Sequence, residues 1–232
     1  MKISELLLQY KTDKNYGVID RDKGHFYGKP YDEVFNWFDQ NLYLNILEIG
    51  VQKGGSLKAW KDYFPNASIT GVDIVDVREK EYISQDIKFI QSDIKSLNID
   101  ECFKKSGLDI IIDDGSHFIE DVIFVVKNYL KVLNTNGVLI IEDVQEPEKW
   151  YIDVLSIVKT EEGCFEVFYR DIRKIGHYDD FLLIIKRKNY SGIISKYIKI
   201  KNSIIFKHFR IKDLTAGEIL KKVYNKVFGM VK

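Results

Sequence analysis

Cysteine and proline are scarce in this 232-residue chain, which has two of the first and three of the second. Cys102 and Cys164 form no CxxC pair and lie far apart. They read as reduced core residues of a cytoplasmic protein, in preference to a disulfide. No run approaches the ~20 apolar residues of a membrane span. The apolar N-terminal run is too short for a signal peptide, and Glu5 interrupts it. Internal repeats and low-complexity linkers are also missing. So is an overall charge: 35 basic residues balance 35 acidic ones. Apolar residues are plentiful at 45%, and aromatics reach 13%, which excludes disorder over the whole chain.

The balance of charge hides an asymmetry. From Lys186 onward there are 13 Lys or Arg against Asp213 and Glu218, so the tail is near +11 and residues 1–185 near −11. Leu220, Val223, Tyr224, Val227 and Phe228 follow helical amphipathic spacing. Such a tail suits self-association, a membrane surface or, third, nucleic acid; the acidic core opposes phosphate backbones, and no nucleic-acid partner is expected.

Apolar runs at 44–49, 68–72, 87–90, 108–112 and 137–141 alternate with helical patterns. The helices are expected at 2–10, from Pro30 to about Gln40, from a Ser56 cap to Tyr63, and at about 118–132. This order predicts βαβ crossovers and an α/β fold with a mostly parallel sheet and helices on both faces. Two late strands, about 164–169 and 181–185, predict an antiparallel C-terminal hairpin that brings the sheet to seven strands. Three segments follow: N-terminal helices and a polar loop (1–43), the core (44–188) and the basic tail (189–232).

Ligands of open α/β sheets bind beyond the carboxyl ends of the strands. Acids or glycines stand at all five predicted ends: Glu48 and Gly50, Asp73, Asp93, Asp113 and Asp114, Glu142 and Asp143. The glycine loop Glu48–Ser56 lacks GxGxxG spacing, which disfavours a nicotinamide cofactor. Asp73 suits ribose hydroxyls and Asp93 an adenine amino group.

Glu48-x-Gly50, Asp73 and Asp93 resemble the first three motifs of class I S-adenosylmethionine-dependent methyltransferases over roughly residues 44–186. A Rossmann-like methyltransferase sheet and S-adenosylmethionine as cofactor are what that resemblance implies. Thr12-Asp13-Lys14, His25-Phe26-Tyr27, Asp113-Asp114-Gly115-Ser116-His117 and Glu142-Asp143 resemble the metal-dependent macrolide-sugar O-methyltransferases and the cephalosporin-hydroxylase-like group. In this resemblance, Asp114, Glu142 and Asp143 hold magnesium, or manganese in its place. Thr12, Lys14, Glu48, Gly50, Ser56, Asp73, Asp93 and Asp113 serve the cofactor.

A hard cation lowers the pKa of a sugar hydroxyl, and a neighbouring imidazole can take the proton. His117 is the base candidate, with Asp114 the alternative. His25, Tyr27, Arg173 and Tyr178 are candidate acceptor contacts. The expected acceptor is a sugar hydroxyl of a nucleotide-activated sugar or a glycosylated small molecule, with surface-polysaccharide precursors among the options. A non-sugar acceptor and a non-catalytic binding subunit are the rival readings. A homo-oligomer with weak membrane-surface attachment through the tail completes the expectation.

Overall fold

Strands here pair in parallel because a helix or loop crossover returns the chain between them. The computed structural model describes residues 1–82, 84–161 and 164–188. The strands are β1 (Asn45–Ile49), β2 (Ser68–Asp73), β3 (Ile87–Gln91), β4 (Leu108–Asp113), β5 (Leu133–Ile141), β6 (Phe165–Asp171) and β7 (Phe181–Arg187). They lie in the order β3-β2-β1-β4-β5-β7-β6. The β1–β5 pairs are parallel, and β7 runs antiparallel to both β5 and β6. This is the expected seven-stranded α/β sheet with its C-terminal hairpin.

Side chains alternate across the strands and build a core on each face. Ile46, Ile110, Ile112, Val138, Ile140 and Ile184 face one way. They meet α1 (Ile3–Gln9), α3 (Gly28–Phe35) and α4 (Gly55–Tyr63) through Leu6, Tyr31, Phe35 and Trp60. Leu47, Ile111, Leu139, Ile141, Leu183 and Ile185 face the other way. Their partners are α5 (Ile99–Phe103), α6 (Ile119–Tyr129) and α7 (Pro147–Val158), through Phe103, Val125, Tyr129, Trp150 and Val154. The N-terminal helices thus complete one face of the sheet.

Several boundaries differ from the sequence expectation. The segment 11–29, read as loop, contains a short helix, α2 (Asp13–Tyr16), and a 3-10 turn at Arg21–Lys23. Helix α3 starts two residues before Pro30 and stops at Phe35. Ser56 does not cap α4: Gly54, at φ +89°, is the N-cap, and Ser56 is buried inside the first turn. Helix α7 was not foreseen, although Pro147 marks its first turn. No helix among the described residues is long and apolar enough to cross a membrane. The basic tail, with the self-association and membrane contact expected of it, lies outside the described residues.

Candidate active site

The hydrogen-bond ladder does not stop where the strands do. Gly50 N donates to Val72 O and Asp114 N to Ile49 O, each at 2.9 Å; Glu142 N donates to Asp113 O at 2.9 Å and Ser92 N to Asp73 O at 2.8 Å. The residues just past four strand ends are therefore pinned side by side along one rim. A cavity of about 490 Å³ opens above it, within the size range of small-molecule sites.

One half of this cavity lies over the first three strands. Gly50, Gln52, Asp73, Ile74, Val75, Asp93 and Ile94 line it. Gly50 sits at φ +80°, and a Cβ there would overlap the Asp114 carbonyl oxygen, so only glycine fits. Asp73 Oδ2 accepts from Val51 N at 2.8 Å and Gln52 N at 3.1 Å, which ties the glycine loop to β2. Ile74, Val75 and Val77 stand 68%, 49% and 54% exposed beside it, an apolar wall suited to a flat ring. Asp113 supplies an orphan: its Oδ2 is buried and accepts no hydrogen bond among the described residues. Burial pushes the Asp113 pKa up to about 7.

Behind the other half, one ammonium gathers three carboxylates. Lys14 is 2% exposed. Its Nζ lies 2.5 Å from Asp114 Oδ2, 3.0 and 3.1 Å from the Glu142 oxygens, and 3.3 Å from Glu48 Oε1. Burial pulls the Lys14 pKa down, but Asp114, Glu142 and Glu48 more than reverse this, so the lysine stays charged. Glu48 Oε2 accepts from Ser56 Oγ and Trp60 Nε1, both at 2.9 Å. Tyr31 donates to Glu142 Oε1.

Glu48 carries a pH signature. Burial raises its pKa from 4.5 to about 7, against the pull of Lys14. A raised folded-state value stabilises fully below the unfolded pKa and loses that contribution as pH climbs through the folded one. Stability is thus expected to fall between pH 4.5 and about 7, by up to roughly 3 kcal/mol from this group. Asp113 acts with the same sign. Urea titrations at several pH values should show a shallower fall for Glu48→Gln, which keeps an oxygen for Ser56 and Trp60; an identical slope would refute the assignment.

At the cavity wall, Asp143 takes a similar two-sided hold. Tyr27, fully buried, donates to Asp143 Oδ1 at 2.5 Å, while Asp143 Oδ2 lies 3.8 Å from His117 Nε2. Asp114 Oδ1 is also 3.8 Å from that nitrogen. Asp114, His117 and Asp143 can each offer one ligand atom within 4.8 Å of the others. Both His117 (φ +55°) and Asp143 (φ +51°) adopt left-handed backbone, as does Gln52 (φ +46°) in the other half of the cavity. Non-glycine residues pay for that geometry and commonly do so at functional sites. His25 lies 3.6 Å from Asp143, hydrogen-bonds buried Asp180 through Nδ1, and stacks on Tyr27 at 5.0 Å. Burial would lower the His25 pKa, but Asp180 and Asp143 lift it to about 9. His177 packs edge-on against His25.

The structure brings Gly50, Asp73, Asp93, Asp113, Asp114, His117, His25, Glu142 and Asp143 to one cavity. It does not bring Thr12, Lys14, Glu48 or Ser56 to the wall, although all four were expected as cofactor contacts. Each is buried. The polar groups of Lys14, Glu48 and Ser56 are consumed in the ammonium network, while Thr12 Oγ1 has no partner among the described residues. Asp13, not its neighbours, reaches the cavity. Tyr27 serves Asp143 from beneath and does not line the opening. Arg173 is held bidentately by Asp171 at 2.9 and 2.7 Å, and Tyr178 is 71% exposed; neither lines the cavity. Glu142 reaches the wall, but Lys14 and Tyr31 engage its oxygens, so it stands outside the three-group cluster.

Sequence reasoning missed Tyr31 and Asp180. Tyr31 carried a signal: it lies one turn after Tyr27, and these two hydroxyls serve the two consecutive acids Glu142 and Asp143. Asp180, in an ordinary hairpin sequence, carried none.

No family model matches the chain. It is 33% identical over 151 residues to a Streptomyces olivaceus 8-demethyl-8-alpha-L-rhamnosyl tetracenomycin-C 2'-O-methyltransferase, covering 62% of this chain and 38% of that protein. It is 33% identical over 151 residues to the mycinamicin VI 2''-O-methyltransferase of Micromonospora griseorubida, covering 61% and 36%. The chain therefore matches less than two fifths of the length of these relatives. Among solved structures, the MycE methyltransferase in complex with Mg, SAH and mycinamycin VI superposes with a TM-score of 0.62 at 24% identity, covering 83% of this chain and 57% of that one. By its sheet order and this superposition the chain has the class I methyltransferase fold, and by sequence it is similar to the macrolide-sugar O-methyltransferases.

Proposed function

We propose that the chain is an S-adenosylmethionine-dependent, divalent-metal-assisted O-methyltransferase acting on a sugar hydroxyl of a glycosylated small molecule. The observation that carries this reading is the shared cavity: Asp114, His117 and Asp143 converge at one end, and Gly50, Asp73 and Asp93 line the other. The names of the relatives, a 2'- and a 2''-O-methyltransferase of glycosylated compounds, agree with it.

The residues fit both groups. Asp73 offers a carboxylate to ribose hydroxyls, Asp93 faces the same space for an adenine amino group, and the exposed apolar wall of Ile74, Val75 and Val77 gives the ring a surface. Asp113 Oδ2, which has no hydrogen-bond partner among the described residues, offers a further acceptor. S-adenosylmethionine supplies an electrophilic methyl group. For the metal, Asp114 and Asp143 each present one oxygen to the cavity. Lys14 offsets one of the buried negative charges but leaves an excess that favours a dication. A hard divalent cation, magnesium or manganese, lowers the pKa of a hydroxyl held beside it.

The chain's own groups then do the rest. His117 Nε2 would accept the hydroxyl proton as the acceptor oxygen attacks, while Gly50, Asp73 and Asp93 would hold the donor whose sulfonium would give up its methyl group and become a neutral thioether. Tyr27 holds Asp143 in orientation. Asp180 fixes the His25 ring, which faces the acceptor space. Water is displaced as acceptor and cofactor fill the cavity, and near-attack placement does the remaining work.

Calorimetry should show that S-adenosylhomocysteine binds. Asp73→Ala is expected to weaken that binding by about 1.5–3 kcal/mol, the worth of a charged hydrogen bond, together with the loosened glycine loop. Absence of binding by the wild-type protein would remove the reading. A labelled-methyl assay across free glycosides and nucleotide-activated sugars then separates the acceptor classes.

A further inference from the structure

We propose that Asp13 receives the amino-acid end of the methyl donor: its carboxylate pairs with the α-ammonium of S-adenosylmethionine beside the glycine loop. This deepens the function proposed above and rests on it.

The lining of the cavity sets the problem. It holds carboxylates from several strands and, among the described residues, no lysine or arginine. Such a wall favours a ligand that brings positive charge. The donor brings two such groups, a sulfonium and an ammonium. Asp73, Asp93 and the apolar wall account for its adenosine, and its methyl group has to meet the acceptor beside His117. The amino-acid branch leaves the sulfur between these two ends. That leaves it the stretch of wall that holds Gly50 and Asp13.

Most acids on the wall already have partners. Asp73 accepts from the backbone of Val51, Gln52 and Val75, and Asp93 from Lys95 N. Asp121 is held by Ser116 and Lys95. Asp114 and Glu142 share Lys14, and Asp143 takes the Tyr27 hydroxyl. Glu48 is committed to Lys14, Ser56 and Trp60 below the wall. Asp13 differs: it is half-buried, and neither carboxylate oxygen has a hydrogen-bond or ion-pair partner among the described residues. Its charge is felt at Asp114, where the two negative groups oppose each other. An ammonium beside Asp13 relieves that opposition.

The carboxylate is also held in place. Thr12 N donates to Leu7 O at 3.0 Å, and His25 N to Asp13 O at 2.7 Å. The next residue, Lys14, is moored in the acid network. A Cβ at Gly55 would lie 2.7 Å from Tyr10 O and 3.2 Å from Thr12 Cγ2, so the segment leading into α2 packs on the start of α4. Asp13 is thereby delivered to the glycine loop with its backbone already ordered, which lowers the entropy cost of binding.

The test is calorimetry with two probes. S-adenosylhomocysteine carries the ammonium; 5'-methylthioadenosine keeps the nucleoside and the thioether but lacks the amino-acid end. Asp13→Asn is expected to weaken S-adenosylhomocysteine about 10–100-fold, the worth of one charge-assisted hydrogen bond. It should leave 5'-methylthioadenosine within about twofold. A merely structural role would weaken both probes alike, so equal losses overturn the inference. Unchanged S-adenosylhomocysteine affinity in the variant overturns it too, and leaves the proposed function standing. Should Asp13→Asn not fold, Asp13→Ser, a small polar residue of the kind helix starts favour, is read by the same criterion. Wild-type protein that binds neither probe would defeat the proposed function itself, and this inference with it.

Discussion

Exhaustive removal of divalent cations is expected to cut methyl transfer by roughly 10³-fold, about 4 kcal/mol of barrier, and added Mg2+ or Mn2+ should restore it. The protein variant that isolates this effect is Asp143→Asn. Asparagine keeps an oxygen to accept from Tyr27 and tolerates the left-handed backbone at φ +51°. The fold should therefore survive while one ligand charge disappears. Turnover is expected to fall at least about 10²-fold, and metal half-saturation to rise by about 10–100-fold. S-adenosylhomocysteine affinity should stay within about threefold, because the opposite half of the cavity is untouched. Full turnover in EDTA would sink the metal-assisted mechanism whatever the variant does.

His117→Ala is expected to slow turnover by about 10²–10⁴-fold, the usual worth of a positioned general base. The backbone adds a second, independent readout. Position 117 sits at φ +55°, where any residue with a Cβ pays. His117→Gly should therefore be as inactive as His117→Ala but about 1 kcal/mol more stable in thermal unfolding. Equal stability of the two would mean that the left-handed backbone is not strained. A wild-type rate in either variant would return the proton to Asp114 or to solvent.

The sheet and the rim were legible in the sequence for a physical reason. Strands buried on both faces write themselves as runs such as Ile110-Ile111-Ile112, and a rim at their carboxyl ends collects polar residues just after each run. Gly50, Asp73, Asp114 and Asp143 stand where that register puts them, and His117 enters through the Asp-x-x-His spacing of the resemblance. What could not be read was which acids face ligand and which face one another. Thr12-Asp13-Lys14 shows why. Successive helical residues point about 100° apart, so a motif at the start of α2 sends Asp13 to the cavity and Lys14 into the core. Crowded acids call for cations, and one that the structure supplies is Lys14, 128 positions upstream of Glu142. Asp180 stayed hidden because its partner, His25, lies 155 residues away.

Those sequence separations bear on the order in which the two halves of the cavity can form. The cofactor half draws its residues from 50–113, a contiguous stretch that needs only local βαβ closure. The acceptor half joins Lys14 to Glu142 across 128 residues, Tyr27 to Asp143 across 116 and His25 to Asp180 across 155. Distant pairings reward the chain only after the entropy of a long loop has been spent. A folding intermediate with β1–β4 assembled would thus hold a nearly finished nucleotide cradle before any acceptor chemistry exists. Ligand present during refolding should bind that species and steer the chain toward the native state. The first thirty residues would lock the acids into their working arrangement once β5 and the C-terminal hairpin are in place.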